Sequence, residues 1–420
     1  MNFKDSHRDN LHSIYQAALA AVNGRYSVEH YLRENTLNGD VYVLAIGKAA
    51  VAMTQGAFDV LGSQVRSALV ITKQGYLAKD PEDVNIIGAN IIEAAHPVPD
   101  QSSVVAGKKL LEFVSGLPSD AKLLCLISGG TSSLVEVLPD SVDLAQLRSL
   151  NEWLLQSGLP IEAINAIRKR VSCIKGGRLA QKFSGQDIKL LLISDVQGDK
   201  PSQIGSGLFS PPDPAELETN QIEYPEEFNS LIESSPDLPS YDDPCFDRID
   251  HALVATIDMA IEAAQRSAAT MGYDIIVHDE YLSGDAIEAG ERIANEMKKS
   301  PGKLHLWGGE CTVKLPVNYG VGGRCQTLAL SAAIALGKQA HWCLLSAGTD
   351  GSDGPNDFAG ACVDNETLLR AQKAGASDED AAGYLHCADA GTYLHMTNDL
   401  IKTGATGTNV TDLVFGYMEE

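Results

Sequence analysis

What this sequence has little of sets the first limits. Positive charge is scarce: 32 Lys and Arg stand against 56 Asp and Glu, a net charge of −24. A phosphate backbone needs a basic surface, so this balance argues against nucleic-acid binding, and any anionic substrate has to be met by a local basic cluster set against the overall field. The eight cysteines form no CxxC pair and no His/Cys ligand spacing, which argues against structural zinc. Scattered through apolar runs, they read as buried free thiols of a reducing compartment. No run reaches the roughly 18 apolar residues that span a bilayer, and the opening MNFKDSHRDNLHSIYQ has no apolar core of a signal peptide. The expectation is a cytoplasmic protein with no membrane partner. Lys and Arg are absent from Pro201 to Asp247, where seven of the 17 prolines lie between Pro211 and Pro244. That shift in composition reads as a domain junction or hinge, and a chain of 420 residues exceeds a usual single core.

What is present is one device used repeatedly: a short apolar run, then a turn of Gly, Ser and Thr. Leu123–Ile127 is too short for a typical helix and suits a strand covered on both faces. It runs into Ser128-Gly129-Gly130-Thr131-Ser132-Ser133, where small residues let the backbone approach a ligand and offer N–H and hydroxyl donors. The spacing is neither GxGxxG nor GxxxxGK[ST], so neither nucleotide fingerprint applies directly. Val41–Ile46 likewise ends at Gly47-Lys48-Ala49-Ala50, with a lysine at a helix start, where a cation is out of place unless an anion binds. Strands are also predicted at 68–71, 85–92, 189–193, 274–278, 304–307, 312–316, 342–346 and 413–417. Helices are predicted over 5–22, 102–115, 161–182, 250–271, up to Lys299, and over 327–336. Strands and helices alternate as in a doubly wound parallel sheet, whose ligands bind beyond the strand C-termini.

Several of the turns carry chemistry. In the 161–182 stretch Asn165, Arg168, Ser172 and Lys175 form a polar stripe beside an apolar one, and five basic residues (Arg168, Lys169, Arg170, Lys175, Arg178) fall within eleven positions. In so acidic a chain this looks like an anion-binding face. Asp195 follows the 189–193 strand, placed to hold Mg²⁺ or to accept a hydroxyl proton. Gly308-Gly309-Glu310 and Gly348-Thr349-Asp350 end two later strands and suit a nucleotide, and Asp350 is a second candidate metal ligand. Arg324 follows Gly322-Gly323 at a helix start, a second cation where an anion belongs. Thr403–Asn409 is a last Gly/Thr turn. Cations, N–H-rich turns and strand-end aspartates suit phosphoryl transfer, which demands positioning and charge neutralisation more than covalent chemistry.

The stretches AIGKAA (45–50), AAHPVPD (94–100), ISGGTSS (127–133), NAIRKRVSCIKGGRLA (165–180), ISDVQGDKPSQIGSG (193–207), WGGECTVKL (307–315), GVGGRCQTLAL (320–330), SAGTDGSDGPNDFAGA (346–361) and TGATGTNVTDL (403–413) resemble, in order over nearly the whole chain, the class II glycerate 2-kinases. The resemblance implies an α/β fold: a Rossmann-like, mainly parallel sheet domain plus a second α/β (MOFRL-type) domain, expected at 1–240 and 241–420. It implies ATP- and Mg²⁺-dependent phosphorylation of D-glycerate to 2-phosphoglycerate, with the family's proposed catalytic lysine and arginine at Lys48 and Arg324. The implied partners are a small hydroxy acid and a nucleotide. The family's usual GGGSA stands here as Gly129–Ser133, GGTSS, its GGRNQE as Gly322–Thr327, GGRCQT, and the usual Pro of ISDVPGD as Gln197. A usual Asn-containing stretch stands as Val254-Ala255-Thr256-Ile257-Asp258. Three further readings remain open: a kinase for another small hydroxy acid, a nicotinamide-dependent hydroxypyruvate reductase, and a non-catalytic metabolite-binding protein. The reductase needs GxGxxG and a later acidic residue, and AIGKAA supplies one glycine with a lysine in the turn.

Overall fold

The computed structural model describes residues 3–77, 88–157, 159, 161–213 and 224–420. The chain folds into two compact units, one of Gly24–Val254 and one of Met1–Asn23 together with Ala255–Glu420. The division expected at 240/241 falls instead at Val254–Ala255, the end of the last strand of the first sheet, and the first helix, α1 (Phe3–Ala21), joins the C-terminal unit. Its apolar face buries Leu11, Ile14, Tyr15 and Ala18, Tyr15 donates its hydroxyl to Gly348 O at 2.7 Å, and Arg8 pairs with Asp364 and Asp399 at 2.7 and 2.9 Å. The N-terminus is thus built into the C-terminal unit by burial and by ion pairs.

In the Gly24–Val254 unit, α2 (Gly24–Glu34) precedes a six-stranded sheet of β1 (Val41–Ile46), β2 (Val65–Lys73), β3 (Ala89–Ala94), β4 (Lys122–Ile127), β5 (Asp187–Ile193) and β6 (Ile249–Ala255), in the order β3-β2-β1-β4-β5-β6. The β3–β2, β2–β1, β1–β4 and β4–β5 pairs are parallel, with Leu44 opposite Cys125 and Ile46 opposite Ile127. Apolar runs on both faces of the inner strands β1, β4 and β5 account for this, and the helices of the unit are α3 (Ala50–Leu61), α4 (Gln101–Ser115), α5 (Thr131–Leu134), α6 (Leu144–Gln156), α7 (Ile161–Arg170), α8 (Arg178–Lys182) and α9 (Asn229–Glu233). Successive strands lie on either side of β1, so the ends of β1 and β4 form a switch point at which loops diverge and leave a crevice.

The helix expected over 161–182, ended or tightened at Gly176-Gly177, is two helices, the first closing earlier than those glycines. It stops after Arg170 because Ser172 turns its hydroxyl to Glu136, and Gly176 and Gly177 take left-handed φ of 62° and 85°. The expected helix over 250–271 begins as β6, and α10 (Ile257–Thr270) starts only after Thr256 caps it. Ile249–Ala255 satisfies its backbone at the sheet edge, which the alanine content concealed. The first residues of the strand expected over 85–92, and residues 214–223 of the expected hinge, lie outside the described residues.

The other unit carries α10, α11 (Ala286–Lys299), α12 (Arg324–Leu336), α13 (Thr367–Lys373), α14 (Asp378–His386) and α15 (Ala390–Met396) on a mixed sheet. Its strands are β7 (Asp274–Val277), β8 (Lys303–Gly309), β9 (Trp342–Gly348), β10 (Gly360–Asp364), β11 (Leu400–Ile401) and β12 (Asp412–Met418), in the order β11-β10-β9-β12-β8-β7. Only β7–β8 is parallel; β12 runs antiparallel between β8 and β9. The strand expected over 312–316 reduces to one bridge, Thr312 with Asp285, before an exposed loop. Among the described residues no helix is long and apolar enough to cross a membrane.

Candidate functional site

Two places gather the expected residues, one in each unit. In the parallel-sheet unit the turns after β1 and β4 are sewn together. Lys48 N donates to Gly129 O at 2.9 Å, Ala49 N to Ser128 Oγ at 3.0 Å, and Ser128 N to Ile46 O at 3.0 Å. Thr131 Oγ1 shares its proton between Ser128 O at 2.7 Å and Ile46 O at 3.0 Å. So close an approach requires glycine at 47, whose φ is +129° and where a Cβ would stand 2.1 Å from Ser128 Oγ. Lys48 therefore emerges, half-buried, directly over the Ser128–Ser132 turn. The hydroxyls of Ser128 and Thr131 are buried and serve the turn itself, while Ser132 Oγ accepts from Ser206 Oγ at 2.7 Å. What the turn can offer a ligand is backbone, the Ser132 hydroxyl proton and Lys48. Asp195, half-buried, follows the end of β5, the strand next to β4 on this edge.

The basic stretch has a different employment. Lys175, expected to bind phosphate, is 3% exposed and forms an ion pair with Glu136 at 2.6 Å, with Ser172 Oγ donating to the other carboxylate oxygen at 2.6 Å. Lys169 is buried and donates to Ser202 O at 2.8 Å. Arg178 is buried and donates to Lys169 O, Lys175 O and Pro236 O, holding the Pro-rich segment; burial pushes its pKa down to about 10. Arg168 Nε donates to Asn151 Oδ1 at 2.9 Å, and its pKa is lowered by burial, while Asn165 lies half-buried on α7. Helical periodicity cannot tell a basic face turned to water from one turned onto the chain's own carbonyls.

In the mixed-sheet unit Arg324 is the first residue of α12. Its guanidinium meets Asp412 through Nε at 2.6 Å and Nη2 at 2.9 Å, and Nη1 meets Glu310. Burial alone would lower the arginine's pKa, but Asp412 and then Glu310 outweigh it, so the charge is held firmly. Asp412 is buried, whereas Glu310 is well exposed, so the Glu310 side of the guanidinium faces outward. Asp353, fully enclosed, accepts from Cys325 N at 3.0 Å and Gln326 N at 2.8 Å, fixing the start of α12. Burial, and then Asp412, push its pKa up to about 7 against those two hydrogen bonds.

The other expected nucleotide residues take structural work here. A Cβ on Gly308 would stand 2.6 Å from Ile257 Cγ1, and one on Gly309 would stand 2.4 Å from the backbone of Leu282. Both glycines thus admit neighbouring chain. Next to Gly348, Thr349 donates its hydroxyl to Thr411 O at 2.6 Å and its N–H to the same carbonyl at 2.9 Å. Asp350 accepts from Ser352 N at 2.9 Å and Ser352 Oγ at 3.1 Å, a local turn. No group of three His, Cys, Asp or Glu that could hold a metal occurs among the described residues. Magnesium is usually bound by one or two carboxylates with the rest of its shell from water and phosphate, so Asp195 and Asp350 as single oxygen donors fit that ion. Sequence reasoning passed over Asp412 and Glu136, the carboxylates that hold two of the expected cations, Asp353, which fixes the start of α12, and His96, which stands against Gly130.

The chain matches two family models, a domain of unknown function (DUF4147) over residues 10–225 and the MOFRL family over residues 303–412. It is 37% identical over 394 residues to the D-glycerate 2-kinase of Thermotoga maritima, covering 90% of either chain. It is 34% identical over 426 residues to a putative hydroxypyruvate reductase of Agrobacterium vitis, covering 97% of this chain and 94% of that one. A crystal structure of glycerate kinase from Thermotoga maritima superposes with a TM-score of 0.81 at 34% identity, over 99% of this chain and 100% of that one.

Proposed function

The chain belongs to the glycerate kinase family whose second part is the MOFRL region, and we propose that it transfers the γ-phosphoryl group of ATP to the 2-hydroxyl of D-glycerate, giving 2-phosphoglycerate. The observation on the chain itself that supports this reading is the placing of Lys48 over the Ser128–Ser132 turn at the β1/β4 switch point. A lysine fixed there meets an anion at the place where open α/β sheets bind ligands. In this reading Lys48 neutralises charge on the reacting groups, and the turn backbone aligns the small acid. Arg324, held by Asp412 through Nε and Nη2, would meet phosphate oxygens from its Nη1 side, which Glu310 now pairs. Asp195 and Asp350 are the carboxylates that would each ligate Mg²⁺, which when bound supplies neutralisation of nucleotide charge.

ADP release from Mg-ATP with and without D-glycerate, followed by NMR of the product, tests the reading. Glycerate-dependent release giving 2-phosphoglycerate is the expected result; release with another small hydroxy acid in its place would move the substrate assignment. The reductase reading has the name of the Agrobacterium relative in its favour. The turn after β1, Gly47-Lys48-Ala49-Ala50, supplies a single glycine and a cation where a dinucleotide needs bare backbone, so hydroxypyruvate is expected to leave NADH and NADPH unoxidised.

A further inference from the structure

The segment after β3 does something that its place in the sheet does not require. In the order β3-β2-β1-β4, β3 stands three positions from β4, roughly 14 Å at the usual ~4.8 Å strand spacing. Yet His96, two residues beyond the end of β3, lies against the turn after β4. A Cβ on Gly130 would stand 3.1 Å from His96 Cδ2, 3.2 Å from His96 Nε2 and 3.3 Å from Lys48 Cγ. The 95–99 segment therefore leans across the end of the sheet and brings the Nε2 edge of the imidazole to the turn that Lys48 overhangs. His96 is half-exposed, so the ring is not sealed into a core.

Phosphorylating a hydroxyl requires somewhere for its proton to go. In the kinase reading Lys48 is the cation that meets the phosphoryl charge and not the acceptor of that proton. Ser128 Oγ is buried and accepts Ala49 N, and Thr131 Oγ1 has committed its proton to two carbonyls. Ser132 Oγ accepts from Ser206. Among the described residues that the contacts of this turn bring in, His96 supplies a ring nitrogen able to take a proton. We propose that His96 is the base of the reaction, an assignment that rests on the kinase reading above. The hydroxyl oxygen of the hydroxy acid forms a bond to the γ-phosphorus while the bond from phosphorus to the bridging oxygen breaks. The leaving ADP keeps that electron pair, and the hydroxyl proton passes to His96 Nε2 and then to solvent. Asp195, the other candidate for the proton, is left to its metal role, for which a hard carboxylate oxygen is better suited than imidazole.

The test uses the intact chain and two variants, His96→Ala and His96→Gln, with thermal midpoints measured beside activity. Each is expected to lower kcat by about 10²–10⁴-fold, the range of a positioned base, with KM for ATP within about twofold. Added imidazole is expected to restore turnover to His96→Ala. Independently of turnover, D-glycerate alone, without nucleotide, is expected to shift one histidine Cε1–H resonance of the native chain, identified by its absence from His96→Gln. A kcat within about threefold of native in either variant overturns the assignment. So does full activity in His96→Gln with loss in His96→Ala, because the amide keeps the reach and the hydrogen bond but takes no proton. If His96→Ala fails to fold, His96→Gln and the resonance shift carry the test. Absence of glycerate-dependent ADP release from the native chain would defeat the kinase reading instead, and an unmoved His96 resonance would defeat the base.

Discussion

Replacing Lys175 with methionine separates two accounts of the basic stretch. The substitution keeps an unbranched stem of similar volume and removes the ammonium. Glu136, 1% exposed, then loses its 2.6 Å partner on one oxygen and keeps Ser172 Oγ at 2.6 Å and Val137 N at 3.0 Å on the other. Removing one member of a buried pair costs about 3–5 kcal/mol, because the remaining charge stays desolvated. For a unit the size of Gly24–Val254, a loss of about 1 kcal/mol lowers the midpoint by roughly 2–4 °C, so a fall of about 6–20 °C is expected. The double variant Lys175→Met with Glu136→Gln removes both charges and leaves an acceptor for Ser172; it is expected to recover most of the loss. Differential scanning calorimetry measures the midpoints, and kcat and KM are taken well below the lowest of them. Activity per folded molecule is expected within a few-fold of native. A hundredfold fall in kcat with an unchanged midpoint would refute the reasoning and return Lys175 to the substrate.

Lys48→Ala and Arg324→Ala are each expected to reduce kcat by about 10²-fold or more, as for a single charge-stabilising donor, and near-native rates in steady-state assays would remove the role from that residue. Gly130→Ala forces a side chain into a φ of +86° and to 3.1 Å from the His96 ring. A fall in kcat larger than any loss in thermal midpoint is expected, since the change strikes the contact between His96 and the turn before it strikes the core. Asp353 supplies a pH dependence of stability. Its carboxyl is pushed up to about 7 from an ordinary 3.8, so between those values the folded chain holds a proton that the unfolded chain has released. The stabilisation from this group is full below the lower value and is lost as pH rises through about 7. Asp353→Asn is expected to flatten the thermal midpoint across that window, and an unchanged slope would show that another group sets it.

In the parallel sheet β1, β4 and β5 were legible because each is an apolar run closed by small residues. They end at Ile46, Ile127 and Ile193, one or two residues before Lys48, Ser128 and Asp195. β6 was hidden because Ile249–Ala255 runs without a break signal into an alanine-rich helix, and the sheet edge, a non-local feature, decides its state. Lys48 and Arg324 could be picked out because each is a cation at a helix start, a position that helix electrostatics disfavours. Their surroundings could not. Asp412 lies 88 residues from Arg324, and Gly130 lies 34 residues beyond His96; neither pairing leaves a periodic trace. The same blindness made the 168–178 cations look like a ligand face, when three of them hold the chain's own carbonyls and one carboxylate.

The departures from the family pattern beside Arg324 bear on substrate choice only if those side chains can reach a substrate. They are turned the other way. Cys325 and Thr327 are each 2% exposed and Gln326 is fully enclosed, because α12 begins at Arg324 and packs its first turn into the core under the cap of Asp353. Burial drives the Cys325 thiol well above its ordinary pKa, so it stays neutral and inert. A cysteine where the family carries asparagine therefore alters packing beneath the arginine and leaves its outward edge, with Glu310, untouched. Cys325→Asn, which restores the family residue, places an amide in an enclosed site and is expected to lower the midpoint, with about 1–3 kcal/mol lost if its new polar atoms find no partner. The ratio of kcat/KM for D-glycerate to that for a longer hydroxy acid is expected to remain within about twofold, since under a factor of ten corresponds to less than ~1.4 kcal/mol between transition states. A shift in that ratio of tenfold or more, at an unchanged midpoint, would place Cys325 in contact with the substrate's surroundings and move the determinants of specificity from the Lys48 turn to the Arg324 helix.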